Sequence, residues 1–166
     1  MNLYSLTIPT LQHGLCCLKS ILQKAAKHAD ASDYDPDNLL TLRFAPDMFG
    51  LPKQIQIACD LATRAGARLS GGELPSFADD EASLSDLIAR IDASLEYLAK
   101  ISEDSLDGAE AREVDIPVGG GNTQTMPVPR YITGFLLPNF YFHLTTTYNL
   151  LRSNGVPLGK RDFLVP

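Results

Sequence analysis

From Tyr131 to Leu151 the chain carries no Asp, Glu, Lys or Arg. A charge-free run of that length has two physical outcomes: it crosses a membrane, or it is buried in protein. Pro138, Asn139, Thr145, Thr146, Thr147 and Asn149 interrupt it, and each is costly in hydrocarbon. A buried helix is the better reading, starting near Pro129 and stopping at Asn154-Gly155. Gly155 suits a left-handed C-cap, and Arg152 complements the last turn. Pro138 removes one hydrogen bond and crowds the carbonyl of Gly134, so a kink aiming Asn139 and His143 into the core is expected.

A buried helix needs partners, and three earlier segments supply them. Leu11, Leu15, Leu18, Leu22 and Ala25 make one helical stripe over Thr7 to His28, with Thr7 as N-cap and Pro9 in the first turn. Asp37 to Leu42 is read as a short helical turn after Asp35-Pro36. Leu51, Ile55, Ala58, Cys59, Ala62, Ala65 and Leu69 form a second stripe ending at Gly71-Gly72. Pro52 places that helix's start near Gly50, and Asp47 is read as a cap rather than a catalytic acid. Ser83 and Asp86 open a third helix, whose stripe runs from Leu84 to Ile101. Its polar side is expected to hold Asp86, Arg90, Asp92, Glu96 and Lys100. Alternation at Val114, Ile116 and Val118, three glycines and a return over Asn122 to Val128 give a β-hairpin. The glycines lack the lysine of a phosphate loop. The tail from Val156 is laid over the bundle and anchored by Phe163.

The expected fold is mainly α: an antiparallel four-helix bundle with a small β-hairpin before the last helix, in one domain over 1–166. A net charge of -6 argues against nucleic acid and against an anionic membrane surface as partners. Three cysteines without a CxxC pair argue against a zinc knuckle or a thioredoxin-type site. With no signal-peptide pattern at Met1 to Thr10, a reducing cytoplasm is the expected compartment.

Longer motifs carry a resemblance. They are Leu137-Pro138-Asn139-Phe140-Tyr141-Phe142-His143-Leu144-Thr145-Thr146-Thr147-Tyr148 and Leu151 to Phe163, with Ala45 to Phe49, Gln54 to Asp60 and the glycine run. Together they resemble an uncharacterised bacterial family, a domain of unknown function related to the DinB/YfiT-like four-helix proteins. The resemblance implies a superfamily metal site of three histidines, one on the second helix and two spaced four apart on the last. Some of those proteins are thiol-dependent transferases or isomerases. Carried over by residue, the last-helix pair falls on Asn139 and His143, and the second-helix position near Cys59 or Asp60. Only His143 is a histidine.

Asn139, His143 and Thr147 recur every four residues and share a helix face. With Cys59 and Asp60 they form the candidate ligand-binding set. No resident cofactor is expected; a divalent metal, if bound, would take His143 with Asp60. The plainer alternative is a buried histidine hydrogen-bonded to Asn, Thr or Tyr. No catalytic residue is assigned. Cys16 and Cys17 are read as one core and one half-exposed thiol rather than a redox pair. His13 and His28 are read as solvated, Tyr141 and Tyr148 as packing, Lys160 to Asp162 as solvated charge, and Asp79-Asp80-Glu81 as complementing a helix dipole.

The expected function is small-molecule binding by a DinB-like bundle with a degenerate metal site around His143. The alternatives are a non-catalytic dimeric structural or interaction protein, and a metal- or thiol-dependent transferase or isomerase. A homodimer through the last helix is also expected, because Phe135, Leu136, Phe142 and His143 would face the core while Phe140, Leu144 and Leu151 point outward. Cover by the hairpin or the tail is the rival to that dimer.

Overall fold

A computed structural model describes residues 2–166. Helix α1 spans Leu3–Ala31, α2 Leu51–Ser70 and α3 Leu84–Ala99. The hairpin pairs β1, Glu113–Gly119, with β2, Asn122–Pro127. Helix α4, residues 128–153, comes next without a break, and a short α5, Lys160–Leu164, ends the chain. A short 3-10 helix, Pro36–Thr41, lies between α1 and α2 as the sequence leads one to expect. Among the described residues no helix is long and apolar enough to cross a membrane.

Helix directions can be read from which residues meet. Lys19 pairs with Asp92 at 2.6 Å and Asn2 with Glu103, so α1 and α3 are antiparallel. His143 meets Gln54 while Tyr131 meets Arg68, so α2 and α4 are antiparallel. Asp60 meets Arg90, and Leu98 comes within 3.1 Å of a Cβ built at Gly66, so α2 and α3 run parallel. The antiparallel reading therefore applies to α1·α3 and α2·α4, while the crossover at residues 71–83 returns along α2 to begin α3 beside it. Bundles tolerate such long crossovers when the connection finds its own contacts.

Local chemistry sets the boundaries. Asn2, not Thr7, caps α1, accepting from the Ser5 amide at 3.0 Å, and Pro9 lies inside the helix rather than in its first turn. Pro9 and Ser5 are both exposed, so the carbonyl that loses its partner faces water, and the proline is tolerated. Gly50 caps α2, which leaves Asp47 outside the helix and corrects its reading as the cap. Ser83 and Asp86 form a reciprocal capping box at α3. The hairpin tip needs its glycines, since Gly119, Gly120 and Gly121 have φ of 90°, 60° and 78°.

Helix α4 departs most from expectation. It begins as Val128–Tyr131, passes through a π-helical stretch at Ile132–Leu136 and resumes as Leu137–Ser153. The Leu137 amide reaches Ile132, five residues back, just ahead of Pro138. Phe140, Leu144 and Leu151 face the core, at 0%, 3% and 0% exposure, while Phe142 is 55% exposed. The outward assignment of those three is therefore corrected. Residues 140, 144, 147 and 151 repeat every three or four positions, whereas Phe142 stands about 200° round the helix from Phe140. Phe140 also seats against α1 at Gly14, where an added Cβ would lie 2.5 Å from its ring.

The tail lies on α1. Lys24 pairs with Asp162, and Phe163 packs edge-on against Tyr148 at 5.9 Å. Cys17 is buried, Cys16 half-buried, and all three cysteines are free. His13 reaches the Leu164 carbonyl at 2.9 Å, and the half-buried His28 packs edge-on against Tyr34.

Candidate functional site at the seam of α2 and α4

His143 is buried on α4 at 7% exposure, and its Nδ1 lies 2.7 Å from Gln54 Oε1 on the first turns of α2. Gln54 is itself buried, and its Nε2 donates to the Phe49 carbonyl at 2.9 Å. That second bond fixes the amide: with nitrogen aimed at Phe49, the oxygen must face the imidazole. An amide oxygen only accepts, so His143 Nδ1 must donate. The relay Phe49 C=O, Gln54, His143 therefore sets the Nδ1–H tautomer and leaves Nε2 as a lone pair. Burial lowers the His143 pKa, which keeps the ring neutral at pH 7. No protein group among the described residues engages Nε2, and it is not among the buried, unpartnered side-chain atoms, so it keeps contact with water. Phe142 packs edge-on against the imidazole at 5.2 Å, and Phe49 stands 59% exposed at the relay's other end.

Among the described residues, none of the expected ligand set is hydrogen-bonded to His143. Asn139 is half-buried one turn before His143 and makes no side-chain hydrogen bond among the described residues. Thr147, one turn after, is fully buried with its hydroxyl unpartnered. Cys59 is fully buried, and burial pushes its thiol up to about 12, only partly offset by Ser94 and Arg90. Asp60 is bound by Arg90 at 2.6 Å and by Arg64 at 3.0 Å. The α2 partner of His143 is thus Gln54, not Cys59 or Asp60, one and a half turns further along α2. A divalent ion would require Cys59 as thiolate, Asp60 released from two arginines, or two neutral amides beside one imidazole. These donors do not fit the superfamily metal. Among the described residues no three His, Cys, Asp or Glu side chains cluster to hold an ion.

A second polar cluster departs from the sequence expectation. Arg90, assigned to the polar face of α3, is 4% exposed. It reaches Asp60, Asp79 and Glu81 at 2.6–2.7 Å, and its guanidinium stacks on Phe77 at 4.5 Å. Gln56 donates to Glu81 and Lys53 to Asp79, so Asp79 and Glu81 pin the crossover rather than merely complementing the α3 dipole. Hydrogen bonds from Lys53 and Arg90 hold Asp79 below the usual carboxylate range. Burial alone would raise Glu81, but the bonds from Arg90 and Gln56 outweigh it and hold it low. Burial would likewise lower Arg90, and its carboxylates reverse that. The available signal was the run Asp79-Asp80-Glu81 lying a short distance before an arginine, with an aromatic at Phe77.

Fold and seam together define a DinB-like helical bundle in which the last-helix histidine faces an amide. The chain belongs to the family described as a domain of unknown function, DUF1993, whose pattern matches residues 3–164. It is also similar to a solved structure, a crystal structure of a DinB family member protein from Shewanella denitrificans. The two share 37% identity and a TM-score of 0.91, covering 99% of this chain and 92% of that one. No curated protein matches the sequence.

Proposed function

We propose that this protein binds a small organic molecule at the α2–α4 seam, without the superfamily metal, and that His143 Nε2 is its polar anchor. The observation that carries this reading is the Phe49–Gln54–His143 relay, which spends Nδ1 internally and presents a neutral lone pair beside exposed aromatic rings. Such a site accepts a hydrogen bond and packs an apolar body, so the matching ligand is an apolar molecule bearing a hydroxyl. Cytoplasmic residence is part of the proposal, supported by three unpaired thiols. The test uses phenol and toluene as probes, monitored by NMR at His143 and Phe142. Saturable binding of phenol over toluene, lost in His143→Ala and weakened in Gln54→Leu, supports the site. Equal response to both probes, or no change in His143→Ala, overturns it.

A second reading keeps the homodimer through α4, on different residues from those first expected. Tyr141 and Phe142 are consecutive and exposed at 37% and 55% on a charge-free helix. Light scattering at micromolar concentration gives about twice 18.1 kDa for that reading, reduced in Phe142→Asp. A monomeric mass rejects it.

A further inference from the structure

We infer a second ligand site, for a small organic carboxylate, in the cleft between the outer face of α2 and the crossover at residues 74–79. The cleft holds about 380 Å³ and is lined by Asp60, Arg64 and Arg68 on one side and by Leu74, Pro75 and Phe77 on the other. That volume lies within the range of small-molecule sites. Asp60, Arg64 and Arg68 recur at intervals of four, so one helix face presents all three.

The cleft's carboxylates are spent, while one of its cations, Arg68, has no carboxylate among the described residues. Both Asp60 oxygens are engaged, Oδ1 by Arg90 and Oδ2 by Arg64. Both oxygens of Asp79, which also borders the cleft, are engaged by Arg90 and Lys53. Glu81 is held by Arg90 and Gln56. Arg90, Arg64 and Lys53 thereby match three carboxylates one for one. Arg68 remains over. It is half-buried, pairs with no carboxylate among the described residues, and lies over the Tyr131 ring at 5.9 Å. A guanidinium held against an aromatic face and short of its anion is a planar fork of donors matched to a carboxylate. Beside it stand Leu74, 57% exposed, and Phe77, whose ring is fixed by stacking on Arg90. One unmatched positive charge next to an apolar wall selects a monoanion with an apolar body.

The opposite wall is preorganised. Arg90 and Lys53 tie Asp79 to α3 and α2, and Tyr97 donates to the Glu73 carbonyl at 2.9 Å. The crossover is therefore fastened on both sides of Leu74–Phe77, and a ligand need not order it. Gln54 and Arg68 are fourteen residues apart, which puts this site about 20 Å along α2 from His143.

Benzoate and its neutral isostere benzamide test the assignment, by NMR titration of the full chain with the amides of Leu74, Ser76 and Phe77 as reporters. Benzoate should shift these amides saturably while benzamide does not. Arg68→Gln should weaken benzoate by about tenfold or more, the loss of a charge-assisted pair, and Arg68→Lys by less. His143→Ala should leave benzoate binding unchanged, which separates this site from the seam. Shifts that fail to saturate, equal binding of benzamide, or undiminished binding in a folded Arg68→Gln would overturn the proposal.

Discussion

Replacing Arg90 by Met should cost about 3 kcal/mol of stability at pH 7, the low end for stranding buried carboxylates by removing their cation. The figure rests on the contacts each acid keeps. Asp79 is 37% exposed and retains Lys53, so solvent and a neighbour absorb its loss. Asp60 is 22% exposed and retains Arg64. Glu81 is 10% exposed and retains no cation among the described residues, keeping Gln56 and a backbone hydrogen bond, so it carries most of the cost. In a chain of this size that loss lowers Tm by roughly 6–12 °C. The pH dependence gives a second, independent reading. Glu81 and Asp79 have lowered folded-state pKa values, so their stabilisation is complete above the ordinary values of 4.5 and 3.8 and disappears as pH falls through the folded ones. Without Arg90, burial raises Glu81 instead, and acid then relieves the variant by protonating it. Urea unfolding should therefore show the wild-type and Arg90→Met curves far apart at pH 7 and closer at pH 4. Arg90→Met/Glu81→Gln should recover about 1–2 kcal/mol at pH 7, because the most buried of the stranded charges is gone. A single variant within about 0.5 kcal/mol of wild type, or a gap that widens in acid, refutes the reasoning.

Gly14→Ala should destabilise by about 1–3 kcal/mol, since its Cβ would lie 2.5 Å from the Phe140 ring and either that ring or α1 must move; a denaturation midpoint at or above wild type would show that α4 yields freely. Cys59 should resist a thiol reagent at pH 8 in the folded protein, with its pKa pushed up to about 12 and no exposed surface, while the half-buried Cys16 reacts first. Rapid modification of Cys59 without unfolding would contradict that burial.

Helix existence was legible in the chain because three apolar stripes keep the 3.6-residue period and a charge-free run marks the last helix, and Gly50, Ser83 and the Gly119–Gly121 run mark ends by local chemistry. Two things were not. Local signals at Thr7 and Pro9 imitate a helix start, and only the Asn2 cap and the exposure of Pro9 reveal the longer helix. The faces of α4 are ambiguous because a charge-free helix has no polar side to count from, and a π-helical stretch at Ile132–Leu136 rotates the residues beyond it. At the seam, His143 stood out as the lone histidine among polar groups on α4. Gln54 did not, because an amide on an otherwise apolar stripe gives no sign of the group it meets across the bundle. Arg90 was concealed for the opposite reason: its charge argued for water, and its three partners come from α2 and from a crossover whose path depends on α2 and α3 running parallel.

At the centre of the proposed site, Gln54 accepts from Nδ1 of a neutral His143, and we propose that no metal sits on Nε2. Long-range proton–nitrogen NMR of the imidazole at pH 7, recorded with and without one equivalent of zinc, tests this directly. The expected result is a protonated Nδ1 and a bare Nε2, unchanged by zinc or by chelator, and a mixture of tautomers in Gln54→Leu. A proton resident on Nε2, or a stoichiometric zinc complex that moves the His143 nitrogens, would contradict it.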